Sequence, residues 1–273
     1  FQANVYCILL CKILRIKVIV RSNTSPSGWS QNSLKKQFYK RILGLADKMM
    51  VNSLKFKKQL KFNFNLNAEC IYNPLNVNEI KKLSKIKINE KFFNNKDLKI
   101  LNIGRFTDQK DHLTLLKAIN FLKNKIKLRL IIIGEGQNEN IIKNYIINNK
   151  LEKIVKIKNF TKNPFPYIKK ADLFILSSLY EGLPNVLLEA LALNKFIISS
   201  NCPTGPSEIL DNNKGGLLFK ISDYEDLAKK ILFFRSNKFD CLKKIKHAKK
   251  RLHRFDYNKN LKKYLIFLKT ELN

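Results

Sequence analysis

Two glutamates in the second half of the chain are placed where they could act on one ligand. Seven residues separate Glu181 from Glu189, and the apolar run 171–178 before them predicts a buried strand. Pro184 and the apolar positions after it predict a helix that begins between the two glutamates, with Gly182 giving the turn its backbone freedom. The amides of a helix N-terminus suit a phosphate, and carboxylates suit hydroxyls or a developing positive charge.

The loop after another predicted strand supplies positive charge. Arg105 and Lys110 follow the predicted strand 99–104 and form a pair suited to a diphosphate and to the charge of a departing nucleotide. Gly104 permits close approach to the backbone there. A plainer interpretation stays open for both groups, namely a capped core helix with solvated glutamates and two surface cations in a lysine-rich chain.

Apolar periodicity predicts two blocks of alternating strands and helices, joined by a hinge at 73–76, where Pro74 breaks the pattern. The expected strands are 17–21, 48–52 and 69–72 in the first block and 99–104, 128–133, 154–159, 172–177 and 196–200 in the second. The main expected helices are 4–14, 33–44, 54–61, 111–124, 223–235, 240–252 and 256–271. Residues 78–97 are polar and show no core pattern. Repeated βα units require a parallel sheet, and ligands bind outside the carboxyl ends of its strands.

Composition narrows the class of protein. With 273 residues and 45% hydrophobic content, the chain can hold about two globular domains. The net charge of +32 invites a nucleic-acid partner, but the lysines are spread along the whole chain without a nucleic-acid-binding signature, so we expect none. Five cysteines without a C-x-x-C pair favour a reduced, cytoplasmic location. Three histidines without metal-ligand spacing predict no bound metal.

The helix expected at 33–44 combines basic and apolar residues. Leu34, Phe38 and Ile42 recur at helical spacing beside lysines and an arginine. Such a helix can lie on an anionic membrane surface. Packing against its own domain is the alternative, because helices that cover a buried sheet show the same pattern.

Several segments together resemble the family-4 retaining glycosyltransferases, two-domain enzymes of the GT-B type that use nucleotide-sugar donors. The motifs that carry the resemblance occur in the family's order: Gly104-Arg105 with Lys110, Gly134-Glu135-Gly136, Glu181-Gly-Leu-Pro with Glu189, and the loop 201–210. The resemblance runs from about Val18 to the C-terminus. The last motif is most similar to members that build bacterial surface polysaccharides.

The resemblance implies an α/β fold of the GT-B type, with two Rossmann-like, doubly wound domains that face a cleft. Residues 1–74 would be the remainder of the N-terminal, acceptor-side domain, and 75–255 the nucleotide-sugar-binding domain. Residues 256–273 would form a helix that crosses back to the first domain. Because the chain begins at Phe1 on an apolar segment, we expect the family's glycine-rich first loop and its catalytic histidine to lie in a missing N-terminal part.

The resemblance also implies roles for individual residues. Glu181 would contact the donor sugar as the catalytic residue and stabilise its oxocarbenium character, while Glu189 would bind the ribose. The donor diphosphate would be bound by side chains or amides of Arg105, Lys110, Leu183, Asn185 and Val186. Other donor-side residues would be Gly104, Gly134, Gly136, Phe160 and Gly182. Neither a metal nor a cofactor is implied.

Three positions modify the family's pattern. Asp111 stands where members often have glycine and is expected to cap the next helix, with His112 exposed in its first turn. Asn194 replaces another glycine and tolerates the left-handed conformation. Glu208 is expected to cap or orient its loop rather than to react.

The implied activity is transfer of a sugar from a nucleotide diphosphate sugar to an acceptor hydroxyl, with retained configuration, in bacterial lipopolysaccharide, capsule or other glycan synthesis. The expected partners are a UDP- or GDP-sugar, a glycan or lipid-linked acceptor, and an anionic membrane surface. The expected location is the cytoplasm, including the inner face of the membrane. Two alternatives stay open, a nucleotide-sugar epimerase of the same fold and a non-catalytic donor-binding protein.

Overall fold

Two parallel β-sheets organise the chain in the computed structural model, which describes residues 2–23, 26, 29 and 32–272. The first sheet has the strand order β1-β2-β3, with β1 at Ile19–Ser22, β2 at Lys48–Val51 and β3 at Glu69–Cys70. Its helices are α1 (Gln2–Ile13), α2 (Ser33–Gly44) and α3 (Leu54–Phe64). We call this part the first domain.

The second sheet has six strands in the order β6-β5-β4-β7-β8-β9. The strands are β4 (Leu98–Ile103), β5 (Leu128–Ile133), β6 (Val155–Lys158), β7 (Leu173–Leu176), β8 (Phe196–Ser200) and β9 (Leu217–Phe219). The helices are α4 (Val77–Leu83), α5 (His112–Leu122), α6 (Glu139–Asn148), α7 (Phe165–Lys170), α8 (Asn185–Ala192), α9 (Gly205–Ile209), α10 (Tyr224–Ser236), α11 (Lys238–Arg251) and α12 (Tyr257–Leu272). We call residues from α4 to α11 the second domain.

Alternate residues of the second sheet pack into two different apolar clusters. Ile100 and Leu130 face the cluster that α5 and α10 cover, whereas Leu101 and Ile131 face the other side, as the two-residue period of a strand requires. This second cluster is continuous with the core of the first domain, including Val51. The two domains therefore share apolar packing.

The order of the second sheet reverses between β4 and β7, which pair in parallel with Leu101 opposite Phe174. Successive strands extend outward from this pair in both directions, so the loops at its carboxyl end diverge. A crevice therefore opens beside the ends of β4 and β7, which carry Arg105 and Glu181.

The last helix, α12, contacts residues of the first domain. Tyr264 Oη donates to the carbonyl of Ile71 at 3.3 Å, and the Arg21 guanidinium lies 5.1 Å from the centroid of the Tyr264 ring. Among the described helices, none combines the length and the apolar character that crossing a membrane requires.

Residues 78–97, which show no core pattern in the sequence, nevertheless contribute side chains to the core. Ile80 and Phe93 are buried, and Glu90 is 1% exposed. Lys156 Nζ and Lys158 Nζ, on the edge strand β6, lie 2.9 and 3.2 Å from the Glu90 carboxylate. The burial could not be predicted from the sequence pattern, because the buried residues of this segment are few and one of them is charged. β9, which the sequence analysis did not predict, has only three residues.

Replacing Glu90 by alanine is expected to lower the free energy of unfolding by about 1–3 kcal/mol, because two lysines lose their acceptor. Burial alone would raise the pKa of Glu90, but the bonds from Lys156, Phe92 N and Lys158 outweigh it and lower the pKa. The advantage of the wild type over the variant should therefore shrink as pH falls below the ordinary glutamate pKa. Urea unfolding at several pH values measures both effects.

Glu152→Ala is the matched control, because Glu152 is exposed and makes no bond to the edge strand. Its unfolding free energy should change by no more than about 0.5 kcal/mol. Equal stability of Glu90→Ala and Glu152→Ala would contradict the assignment.

Candidate active site at the rim of the second sheet

Two hydrogen-bond donors contact one carboxylate oxygen of Glu181. They hold it beside the switch point, which is the place between β4 and β7 where the strand order of the sheet reverses. Glu181 follows the buried strand β7 and is 7% exposed. Lys110 Nζ lies 2.6 Å from Glu181 Oε1, and Ser178 Oγ donates to the same oxygen at 2.6 Å. Two short bonds from fixed partners set the direction of the carboxylate. The sequence did not predict the contact with Ser178. Its position three residues before Glu181, just after the end of the same strand, is the feature that could have indicated it.

Further hydrogen bonds tie the loop after β4 to the loop after β7. Leu179 N donates to Gln109 O at 2.8 Å, and Gln109 Nε2 donates to Tyr180 O at 2.9 Å. Ser177 Oγ donates to Lys110 O at 2.8 Å. Because these hydrogen bonds connect the two loops, Lys110 is already positioned beside Glu181 in the protein without a ligand.

Arg105 begins the loop that Lys110 ends. Its side chain is exposed, and the ion pairs among the described residues do not include it. It is thus a cation at the rim that is available to a ligand. Phe160, which follows β6 on the same rim, is 63% exposed. A diphosphate role for Arg105 and a nucleobase role for Phe160 stay predictions.

Two glycines bring the loop after β5 against the loop after β4. A Cβ on Gly134 would lie 2.0 Å from the carbonyl oxygen of Gly104. Gly136 has a φ of 149°, and a Cβ there would lie 2.6 Å from the carbonyl oxygen of Phe106. These glycines are required for the packing of the two loops, and their proximity to a donor stays a prediction.

The N-terminus of α8 enters the same crevice without a side-chain cap. Pro184 is the residue before the helix and makes no capping bond, so the first amides of α8 are left for another acceptor. The Oδ1 of Asn185 accepts from Asn73 Nδ2 at 2.6 Å, which leaves Asn185 Nδ2 as a donor at this end of the helix. Leu183 is buried and Val186 is half-buried. Leu183 and Val186 have apolar side chains, so a phosphate contact of these two residues must come from their backbone amides.

Glu189 lies on the second turn of α8 and is half-buried. Burial raises its pKa to about 7, and no nearby charge or hydrogen bond offsets this effect. A buried carboxyl without partners is destabilised in its charged form, and two adjacent hydroxyls would relieve that cost. The chemistry of the position therefore fits the predicted contact with a ribose.

We call residues 177–184, the loop between β7 and α8 that carries Glu181, the glutamate loop. Gly182 lies where the backbone of the first domain touches this loop. Its φ is outside the left-handed region, and a Cβ would lie 1.9 Å from the carbonyl oxygen of Asn23. The expectation that Gly182 frees the turn was therefore wrong. Glycine is needed here because two backbones meet, which is a contact between residues remote in sequence.

Thr204 contacts the glutamate loop from the loop after β8. Its Oγ1 lies 2.6 Å from the carbonyl oxygen of Glu181 and 2.9 Å from that of Gly182. Its φ of 76° and ψ of −116° place a β-branched residue where strain costs about 1–3 kcal/mol. Such strain persists only where the surroundings impose it. Nothing in the sequence marked Thr204.

Glu208 caps a helix, but the helix belongs to the first domain. Its carboxylate accepts from the amides of Leu54 and Lys55 at 3.0 and 2.9 Å, at the start of α3. Tyr72 Oη donates to it at 2.6 Å. Glu208 was expected to cap or orient its own loop, whereas its carboxylate caps α3, whose amides lie about 150 residues away in sequence.

His112 is buried rather than exposed, so this expectation was wrong. Its ring packs edge-on against Phe106 with centroids 5.2 Å apart. Burial, followed by the charge of Lys110, lowers the pKa of His112 to about 4. The side chain is therefore neutral and packs in the interior, because the loop carrying Phe106 folds over the first turn of α5.

Two residues at the family's glycine positions adopt the left-handed conformation. Asp111 has a φ of 45°, and Asn194 has a φ of 57°. Asp111 Oδ1 accepts from Thr114 N at 3.2 Å, so the predicted cap of α5 is confirmed. Ten non-glycine residues of the described chain have positive φ, whereas Gly136 alone does so among the described glycines. Turns here depend mainly on asparagine and aspartate.

The rim can bind phosphate and hydroxyl groups side by side. Its positive charge comes from Arg105, Lys110 and the N-terminus of α8, and its acceptors are Glu181 and Glu189. Across the described part of the chain, no group of three or more histidine, cysteine, aspartate or glutamate side chains could hold a metal. A nucleotide diphosphate sugar has the groups that this arrangement can contact.

A structural likeness agrees with this description of the fold. The crystal structure of Anabaena HepE with UDP matches with a TM-score of 0.82 at 18% sequence identity, over 98% of this chain and 76% of that one. The same protein matches equally in its complex with UDP-glucose, with a TM-score of 0.82. The likeness shows that the chain has the GT-B fold expected from its sequence.

Sequence comparison gives the family. An uncharacterized glycosyltransferase of Methanocaldococcus jannaschii is 32% identical over 221 residues, covering 74% of this chain and 53% of that protein. The N-acetylgalactosamine-N,N'-diacetylbacillosaminyl-diphospho-undecaprenol 4-alpha-N-acetylgalactosaminyltransferase of Campylobacter jejuni is 28% identical over 219 residues, covering 77% and 58%. The chain thus spans little more than half the length of these relatives. The family model for glycosyl transferases group 1 matches residues 84–264, and the chain belongs to that family.

Proposed function

We propose that the protein is a retaining glycosyltransferase that moves a sugar from a nucleotide diphosphate sugar to an acceptor hydroxyl. The observation that carries the proposal is the Lys110–Glu181 pair, 2.6 Å apart, at the switch point beside the N-terminus of α8. When a glycosyl–phosphate bond breaks, negative charge develops on the phosphate and positive charge on the sugar. The lysine can stabilise the first and the glutamate the second. The complexes of HepE with UDP and UDP-glucose support a UDP-sugar donor, with a GDP-sugar as the alternative.

In the proposed reaction, the donor diphosphate binds Lys110 and replaces Glu181 as its ion-pair partner. The bond between the anomeric carbon and the phosphate oxygen breaks, and the electron pair stays on that oxygen beside Lys110 and Arg105. Glu181, still bonded to Ser178, then faces the sugar and stabilises its positive charge. The acceptor oxygen forms the new bond on the face that the phosphate leaves, and its proton passes to the leaving phosphate, so the configuration is retained.

A glycan or a lipid-linked acceptor in bacterial surface-polysaccharide synthesis is the proposed second substrate. The name of the Campylobacter jejuni relative specifies a diphospho-undecaprenol acceptor, which supports a lipid-linked substrate. We also propose that α2 contacts an anionic membrane. Leu34 and Phe38 are 77% and 54% exposed on this helix, beside the exposed cations Lys35 and Arg41, whereas Ile42 and Leu43 are buried.

Removing either member of the pair should stop transfer. Glu181→Gln and Lys110→Ala in the full-length protein are each expected to lower kcat by about 10²-fold or more, because each removes a charge that the transition state needs. Chromatography of the products formed from UDP-sugar and acceptor measures the loss. Product analysis without acceptor separates a transferase from an epimerase.

Lys117→Ala is the control for Lys110→Ala, because Lys117 is an exposed lysine on α5. It should retain full turnover. Near-normal kcat in folded Glu181→Gln would sink the proposed role of Glu181.

Donor binding should depend on the protonation of Glu189. Its pKa of about 7 means that the carboxyl is largely protonated below that pH in the free protein, while ribose hydroxyls donate best to the carboxylate. UDP affinity is therefore expected to rise as pH increases from about 5 to about 7 and then to level off. The same raised pKa makes the Glu189 contribution to stability fall as pH rises from the ordinary glutamate value through about 7.

Isothermal titration calorimetry with UDP over this pH range measures the effect. Glu189→Gln should abolish the pH dependence and weaken binding at high pH by about tenfold, since a charged acceptor is lost. An unchanged pH profile in Glu189→Gln would rule out Glu189 as the source.

Membrane contact through α2 predicts that Phe38→Ser weakens binding to phosphatidylglycerol vesicles about fivefold or more, because an exposed apolar anchor is lost. Flotation of the protein with these vesicles, compared with phosphatidylcholine vesicles, measures the contact. Phe239→Ser is the matched control, because Phe239 is 70% exposed on α11 of the other domain. Equal binding of Phe38→Ser and the wild type would refute the contact.

A further inference from the structure

A buried carboxylate outside the predicted donor contacts joins the two domains. Glu208 is 9% exposed, and its Oε1 accepts from Leu54 N at 3.0 Å and from Tyr72 Oη at 2.6 Å. Its Oε2 accepts from Lys55 N at 2.9 Å. Burial, followed by the bond to Glu208, raises the pKa of Tyr72, so the phenol stays protonated and donates. All three donors belong to the first domain, so the Glu208 carboxylate links the second domain to the first.

The segment that carries Glu208 contacts the glutamate loop at its other end. We call Thr204 together with α9 the connector. Thr204 Oγ1 bonds the carbonyl oxygens of Glu181 and Gly182 at 2.6 and 2.9 Å. Gly205 lies so close that a Cβ would be 2.3 Å from the Gly182 carbonyl oxygen. Every residue of the connector is buried, so it has no freedom to move apart from its neighbours.

A continuous set of hydrogen bonds runs through the connector. Lys55 Nζ donates to Ser207 Oγ at 2.7 Å, and Ser207 Oγ donates to Thr204 O at 3.1 Å. The bonds from Thr204 to the glutamate loop complete the path from α3. Ser207 Oγ accepts from Lys55 and donates to Thr204 O, so these two bonds reinforce each other, whereas the single hydrogen of Thr204 Oγ1 is shared between the carbonyl oxygens of Glu181 and Gly182.

We propose that Glu208 is a positioning residue, and that its bonds to α3 hold the connector in the strained conformation that fixes the loop carrying Glu181. The Glu181 backbone is then set only while the first domain is docked. If the domains separate, the bonds of Glu208 and Lys55 are lost together, and Thr204 relaxes and releases the loop. The consequence for the reaction, which rests on the proposed function, is that the acceptor-side domain enables catalysis on the donor side.

The test compares Glu208→Gln with Glu69→Gln. An amide in place of the carboxylate presents a donor to one amide of α3 and so breaks one of the two cap bonds, whereas the Glu69 carboxylate pairs with the Lys57 side chain of α3 at 3.1 Å. Hydrogen–deuterium exchange of the four backbone amides within 180–184, where Pro184 has none, is the first measurement. We expect exchange about fivefold faster or more in Glu208→Gln, and unchanged in Glu69→Gln, because these amides lie far along the chain from the substitution.

Kinetics on the full-length protein give the second measurement. Glu208→Gln should lower kcat about tenfold or more while the Kd for UDP stays within about twofold, because Arg105, Lys110 and Glu189 remain in place. A parallel loss of UDP affinity would overturn the proposal, since it would show general damage to the second domain. Unchanged exchange at 180–184 would overturn it whatever reaction the protein performs.

Thr204 and Tyr72 keep the proposal testable if Glu208→Gln fails to fold. Thr204→Ser retains the hydroxyl and should exchange at 180–184 like the wild type, whereas Thr204→Val should exchange faster. Tyr72→Phe, which removes one of the three donors, should show an intermediate effect. Equal exchange in Thr204→Val and Thr204→Ser would overturn the proposal. If the wild type binds UDP but transfers no sugar, the proposed function fails while the exchange results still decide the coupling.

Discussion

The parallel pairing of β4 with β7 is the constraint on which the rest of the structure depends. Strand order reverses at this pair, so its two following loops are neighbours that no further strand separates. One loop carries Lys110 and the other carries Glu181, and their hydrogen bonds to each other close the short distance between the two side chains. A fold that placed another strand between β4 and β7 would put these groups about 5 Å further apart and break the pair.

The second constraint is the closeness of the domains. They share an apolar cluster, and Gly182 lets their backbones touch at the loop that bears Glu181. Apolar packing supplies attraction without direction. The direction comes from polar contacts such as the Glu208 cap on α3 and the contact of Asn73 with Asn185. Each of these bonds requires one relative orientation of the domains.

The sequence predicted well what depends on local periodicity. The principal strands and helices and the parallel sheet follow from βα alternation, and because parallel strands end at one rim, so does the placement of Lys110 and Glu181 at the same edge, although their ion pair was not predicted. The cap by Asp111 was also predictable, since both partners lie in one turn. The functional roles of Arg105 and Phe160 remain predictions, because they depend on a ligand.

The sequence failed where a residue's environment comes from distant segments. His112 has a polar side chain at a helix start, and its burial depends on how the loop carrying Phe106 folds. Glu90 looks like a surface charge until two lysines of β6 surround it. Glu208 finds its partners in the other domain. In each case the free energy that decides the environment is long-range, and local pattern contains no record of it.

The use of asparagine and aspartate in turns changes what a glycine means in this chain. Because residues such as Asn194 and Asp111 take the left-handed positions, glycine is retained where a side chain has no room. Gly134, Gly182 and Gly205 each mark a crossing of two backbones. These three glycines therefore mark points where two backbones leave no room for a Cβ, and tolerance to substitution should be lower there than at Gly44, where a Cβ would make only an ordinary contact.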